Sequence, residues 1–305
     1  MATSRKVWTV VLRVLLGLLF VVSAVSKIWS IDQFEVYVYS YGFFPLPLTY
    51  VLVRLCIAAE LILGVMLLLG WWRRWVRLLT LLMLVAFSLF LCYAALVGRN
   101  ESCQCFGQLA DMNPGESLLK NALLIVLVLA YGKLDAAGEC PTGRCRLRLW
   151  LTGAIVVAAV VTVFVVSVPD NWMFGNGSTR FNKERIEQTL AEEGPLSELK
   201  LTEGHKLAVF VTPGCPYCKM ARQKLATIEE RHHIASERIV YIEPGAEQEG
   251  YMPTDSCTHG IDTELFLKVT GGNRPYIILL EEGEPVVTFH YRNISEKRIA
   301  RSLKD

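Results

Sequence analysis

Two closely spaced cysteine pairs carry most of the chemistry legible in this chain. Cys215 and Cys218 enclose Pro216 and Tyr217 in the run TPGCPYC, and Cys103 and Cys105 flank a single glutamine in CQCFG. Thiolates attack disulfides, so such pairs can trade two electrons by thiol–disulfide exchange. A CxxC at a helix start has a further logic. Its first thiol faces unpaired N–H groups and the positive end of the helix dipole, both of which favour the thiolate. Cys215 is therefore the expected nucleophile and Cys218 the resolving thiol. Residues two apart, as in CxC, can close a disulfide only with some strain, and a strained bridge is easily reduced. Cys103 and Cys105 are accordingly expected to accept electrons. A fixed loop staple, or half of a metal site, stays open for that pair, although no histidine lies nearby to complete zinc coordination. With no second CxxC of zinc type in the C-terminal region, no metal is expected there.

Five more cysteines complete the set. Cys56 and Cys92 lie in apolar runs, where a free cysteine ordinarily packs as a small hydrophobe. Glu60, however, follows Cys56 by four residues on the same helical face, and an ionisable group within a membrane span is costly and commonly functional. It could take a proton from a thiol or a quinol, or it could pair with Arg54 or Arg13. Cys140 and Cys145 bracket a Gly/Pro turn in CPTGRC, and Cys257 stands with His259 in PTDSCTHG. Cys56, Cys92, Glu60, Cys140 and Cys145 form a candidate relay, while Cys257 reads as a lone surface thiol or a third redox group.

The elements that must position these residues divide the chain in two. Of its 305 residues 52% are apolar, above the roughly 45–50% of soluble domains, and the excess lies before residue 170. Residues 1–177 hold 14 Lys plus Arg against 9 Asp plus Glu, a net of +5, so the total of +2 leaves −3 for the remainder. This balance, with no long basic run, argues against nucleic-acid binding. A single soluble enzyme is excluded too. Val7–Val25, Leu48–Leu69, Val76–Val97, Leu118–Tyr131 and Leu149–Val168 approach the roughly 20 residues that cross a bilayer, the fourth with help from Ser117, Lys120 and Gly132. A cleavable signal peptide is the rival reading of the first, although Arg13 interrupts it and the run is long for a signal core.

Arg5 and Lys6, then Arg73, Arg74 and Arg77, then Lys133, Arg144, Arg146 and Arg148 mark alternate connections as cytoplasmic. The loops around Asp32 and Glu35, with Lys27, and from Gly98 to Ser117, with Arg99, then face outward, as does everything after the fifth span. Disulfides persist on that side of a cell (inner) membrane such as one facing a periplasm. Seven of the nine cysteines cluster towards it; Cys140 and Cys145 do not. After a linker at Asn171–Thr179 the pattern becomes that of an α/β domain. We expect a helix at Asn182–Glu193 and a strand at Lys206–Val211, then the CPYC turn and a helix to about Arg231. A strand at Arg238–Glu243, a helix near Thr263–Val269, strands at Tyr276–Leu280 and Val286–Tyr291 and a helix from Ser295 complete it.

With these residues in place, Gly204–Asp305 resembles the thioredoxin family, and CPYC is similar to the turn of glutaredoxins. The resemblance implies that Pro275, in GGNRPYIILL, is a cis-proline facing the redox pair and, with Arg274 before it, part of the substrate-binding strand. The carboxylate that many thioredoxins bury in the strand before the redox turn has no counterpart in Leu207–Val211, and Arg274 stands where the family often has Thr or Val. The membrane half, about Leu12–Tyr131, resembles the MauE/DoxX family through RVLLGLLFVVSAVSKI, DQFEVYVYSYGFFP, AAELILGVMLLLG and CQCFG, in that order. That family is associated with thioredoxin-like partners in disulfide metabolism. The architecture is also like bacterial vitamin K epoxide reductase homologues fused to a thioredoxin domain, whose membrane CxxC has no equivalent here.

The expected fold class is thus an α-helical membrane bundle, four MauE/DoxX-like helices plus a fifth, followed by an α/β thioredoxin-like domain. The divisions fall at residues 1–135, 136–170 and 171–305. The expected activity is thiol–disulfide exchange on extracytoplasmic proteins, with electrons passing between CPYC and CxC. The thioredoxin-like domain requires no cofactor, and a quinone is a candidate final acceptor. A reverse conduit rising through Cys140 and Cys145, a non-catalytic membrane-anchored assembly protein and a transporter are the alternatives. Its partners would be extracytoplasmic thiol or disulfide proteins and the lipid bilayer.

Overall fold

The structure is a computed structural model that describes residues 2–97, 113–135, 145–173, 175, 177–178, 181–184, 186–187, 199–247, 252–255 and 258–304. The chain divides into two compact units, residues 1–37 with 50–168 and residues 38–49 with 169–305.

Among the described residues six helices precede residue 167: α1 (Ala2–Trp29), α2 (Ile31–Tyr39), α3 (Leu46–Leu69), α4 (Arg73–Leu96), α5 (Pro114–Leu134) and α6 (Cys145–Val166). All but α2 are long and apolar enough to cross a membrane, which makes this a membrane protein. Helix α5 begins earlier than hydropathy alone suggested, because its start is chemical. Asn113 accepts the Glu116 amide at 2.8 Å, Glu116 returns a bond to the Asn113 amide at 3.0 Å, and Pro114 takes the first helical position. Helix α1 runs past its apolar stretch, so Lys27 sits in its last turn and not in a connection. Helix α2 occupies a segment expected to be a loop. Where α1 meets α3, Gly17 and Gly64 face each other. A Cβ on Gly17 would lie 3.0 Å from the Gly64 carbonyl oxygen, and one on Gly64 would lie 3.1 Å from that of Gly17. Small residues allow this approach.

The first unit neutralises the charges it buries. Arg73 pairs with Asp135 at 2.9 Å. Arg54, 1% exposed, pairs with Glu35 and also donates to the carbonyls of Tyr50, Ser167 and Val168. The last two directly follow the C-terminus of α6, where a cation is favoured.

In the second unit a short helix α7 (Asp170–Met173) leads to β1 (His205–Phe210), α8 (Pro216–His232), β2 (Ile239–Pro244), β3 (Thr258–Ile261), α9 (Thr263–Thr270), β4 (Tyr276–Glu281), β5 (Glu284–Phe289) and α10 (Glu296–Lys304). The sheet order is β3-β2-β1-β4-β5. Strand β1 is parallel to β2 and antiparallel to β4, β2 is parallel to β3, and β4 is antiparallel to β5. A parallel β1–β2 pair requires a crossover, which α8 provides. Strand β1 is central, so Leu207 through Phe210 are fully buried. Phe210 meets Phe266 of α9 edge to face at 5.7 Å. Gly283 closes the β4–β5 hairpin at φ +82°, where a Cβ would meet the Thr202 backbone at 3.0 Å. The fold class expected from the sequence is the one found, an α-helical membrane bundle followed by an α/β domain. The expected helix at Asn182–Glu193 lies mostly outside the described residues. Strand β3 was missed within PTDSCTHG.

Candidate functional site

Strand β1 delivers the chain to the redox turn. The Val211 amide still bonds to the Ile242 carbonyl at 2.9 Å; beyond it Thr212, Pro213 and Gly214 turn the chain into α8. Cys215 is the N-cap residue of that helix and Pro216 takes the first turn, where a missing N–H costs nothing. The Cys215 sulfur accepts the Cys218 amide at 3.3 Å. This places one of the unpaired donors of the helix start on the sulfur that would carry negative charge.

The two thiols have different surroundings. Cys215 is half-buried and Cys218 is 2% exposed. Burial, reinforced by the hydrogen bond with Cys215, pushes the Cys218 thiol up to about 11. Thr212 Oγ1 stands 3.9 Å from its sulfur. Cys218 thus keeps its proton at neutral pH while Cys215 meets solvent. That asymmetry suits one sulfur to attack and the other to resolve.

Aromatic packing frames the turn. Tyr217, 47% exposed, stacks on the buried Tyr291 with ring centroids 4.9 Å apart. Tyr291 is held in turn by Lys224, whose ammonium donates to its carbonyl at 3.0 Å, and by Arg292, which donates to its hydroxyl at 2.7 Å. The Arg274–Pro275 peptide is cis, with Pro275 buried and Arg274 exposed. The domain does bury a carboxylate, but on β2. Glu243, 1% exposed, pairs with Arg222 at 3.1 Å and accepts the amide and hydroxyl of Thr254. Arg222 follows Cys218 by one helical turn and also packs over the Tyr241 ring at 4.3 Å. The signal available in the sequence was the lone acid ending the apolar run IVYIE.

In the bundle, Glu60 is buried on α3. Its carboxylate accepts Lys27 at 2.7 and 2.9 Å and Ser23 at 2.8 Å, both from α1. The Lys27 ammonium lies 5.6 Å from the Phe34 ring centroid and 5.3 Å from that of Phe87. The expected partner of Glu60, Arg54 or Arg13, is therefore corrected to Lys27. Arg54 is committed to Glu35, and the guanidinium of Arg13 lies over Gly70, where a Cβ would come within 1.7 Å of it. Cys56 is half-buried and Cys92 exposed on the helix surface. Cys103, Cys105, Cys140 and Cys257 lie outside the described residues, and Cys145 opens α6 with its side chain outside them.

The chain is similar to Protein TlpB of Flavobacterium psychrophilum, 22% identical over 319 residues that cover 88% of this chain and 82% of that protein. No solved structure matches it. Residues 5–134, helices α1 to α5, match the family described as methylamine utilisation protein MauE. The first five helices are therefore similar to that family.

Proposed function

We propose that this protein is a membrane-bound thiol–disulfide oxidoreductase acting on extracytoplasmic proteins through the CPYC turn of a thioredoxin-like domain. The observation that carries this reading is the division of labour at the start of α8. A half-buried Cys215 sulfur receives the Cys218 amide, and a buried Cys218 keeps its proton. In the oxidising direction a substrate thiolate attacks Cys215 of the Cys215–Cys218 disulfide, and Cys218 leaves as the thiol. A second substrate thiolate attacks the substrate sulfur of the mixed disulfide, releasing oxidised substrate and a reduced CPYC. Two electrons and two protons are now on the pair. Cys215 would next attack the Cys103–Cys105 disulfide, and Cys218 would resolve that mixed disulfide, moving the pair of electrons into the bundle. A quinone is the class of acceptor proposed beyond it.

The basic residues on alternate connections support a domain outside the cytoplasm of a cell membrane. The test is a Cys215→Ser/Cys218→Ser variant expressed in place of the wild type. Envelope proteins should shift towards the reduced state, as read by alkylation and mass spectrometry. An unchanged thiol state in all of them would refute the proposal.

A further inference from the structure

The second unit includes a piece of chain from far outside the redox domain, the turn between α2 and α3. Its sequence, Gly42-Phe-Phe-Pro-Leu-Pro47, begins a long helix without a side chain that could cap it. Pro45 and Pro47 have no N–H, and the amides of Leu48 and Thr49 bond to the Pro45 carbonyl at 3.0 Å. The Leu46 amide is left over. Glu296, at the start of α10 and 250 positions along the chain, supplies its acceptor at 2.8 Å.

The other oxygen of that carboxylate is held by α8. Arg231 Nη1 reaches Glu296 Oε1 at 2.7 Å, and His232 Nε2 lies 3.1 Å from the same atom. The second nitrogen of Arg231 continues to the turn itself, donating to the carbonyls of Gly42 at 2.6 Å and Phe44 at 2.7 Å. Its guanidinium also covers the ring of Tyr39, the last residue of α2, at 5.3 Å. Tyr39, Leu46 and Glu296 are buried. Burial alone would raise the Glu296 carboxyl, but the Leu46 amide, Arg231 and His232 hold it below the ordinary value. A fork of donors and a carboxylate thus grip a turn by its backbone, which gives a directional fit that side-chain packing would not.

We propose that Arg231 and Glu296 form a docking site whose ligand is this chain's own Gly42–Leu46 turn. The site joins the last turn of the redox helix to the first turn of α3. The turn is then held as part of the unit that carries the redox helix, although its chain continues into α3.

The test is hydrogen exchange by mass spectrometry on the full chain in lipid nanodiscs, following the peptide that contains Leu46. Glu296→Ala and Arg231→Met should each speed exchange there by on the order of a hundredfold. The decisive variant is the swap Arg231→Glu with Glu296→Arg. It restores an ion pair between α8 and α10, yet an arginine cannot accept the Leu46 amide and a glutamate cannot donate to Gly42 and Phe44. The swap should therefore unfold at the wild-type temperature while the turn still exchanges fast. Protection retained in Glu296→Ala, or recovered in the swap, would overturn the docking site. So would a swap whose outer unit has lost its cooperative unfolding, since the pair would then be core structure. Reactivity of Cys215 towards a small disulfide is read on the same samples. Its absence in the wild type would count against the redox function and leave the docking result standing.

Discussion

Cys218 in the second unit and Glu60 in the bundle are both ionisable groups withdrawn from water, and the chain treats them in opposite ways. Cys218 has no cation beside it among the contacts of its turn. Burial keeps its proton on, and the neighbouring Cys215 sulfur takes the donor of the helix start. Glu60 is instead matched by Lys27 and Ser23, as Glu35 is by Arg54 and Asp135 by Arg73. The difference separates a site poised to change its charge from one built to hold its charge fixed. In a hydrocarbon surround an unmatched ion is prohibitively costly, so pairing is the default. At a domain surface, one thiol can stay neutral and ready.

The contrast can be broken most severely at the nucleophile. Cys215→Ser should cut reduction of a model protein disulfide by the full chain at least about a thousandfold, because Cys215 supplies the proposed attacking thiolate. Turnover within tenfold of the wild type would transfer that role to another cysteine. Next in size is the bundle pair. Glu60→Ala or Lys27→Ala leaves a buried charge alone and should destabilise the detergent-solubilised bundle by about 3–5 kcal/mol, whereas Lys27→Met with Glu60→Met should recover most of the loss. Thermal unfolding of the three variants decides this, and single variants as stable as the wild type would mean that the pair is solvated.

Smaller effects sharpen the account. Gly64→Leu should push α1 from α3 at a cost of about 1–3 kcal/mol in the same assay. The raised Cys218 value gives a signed pH dependence. Folding favours its protonated form, so that stabilisation is complete below the ordinary thiol value of 9.0 and is lost as pH rises towards about 11. Chemical denaturation of the reduced protein at intervals from pH 8 to 11 should show a decline of up to about 2 kcal/mol that Cys218→Ala abolishes. A decline of the same size in Cys218→Ala would assign it to other groups.

Much of the fold was legible because the strongest signals are periodic. Four of the five apolar runs fell within a few residues of their helices, and β1, β2, β4 and β5 within one or two, since burial on both faces writes near-continuous apolar strands. Helix α2 and strand β3 were not legible. The first is nine residues long and mixes Asp32, Gln33 and Glu35 with aromatics; the second is four residues at a sheet edge, with His259 exposed. Of the candidate site, CPYC announces its own chemistry. Lys27 and Glu243 do not, because what makes each notable is a partner, Glu60 or Arg222, brought close by tertiary packing alone.

The central claim, that Cys215 exchanges with the CxC pair of the bundle, is tested most directly by thiol trapping in intact cells carrying Cys218→Ser. Without the resolving thiol, acid quenching, alkylation and mass spectrometry should recover Cys215 in a mixed disulfide with Cys103 or Cys105, and the wild-type CPYC should be largely oxidised. A CPYC held reduced in the wild type, with Cys215 bonded to neither cysteine and Cys140 and Cys145 changing redox state instead, would contradict the account and reverse the direction of flow.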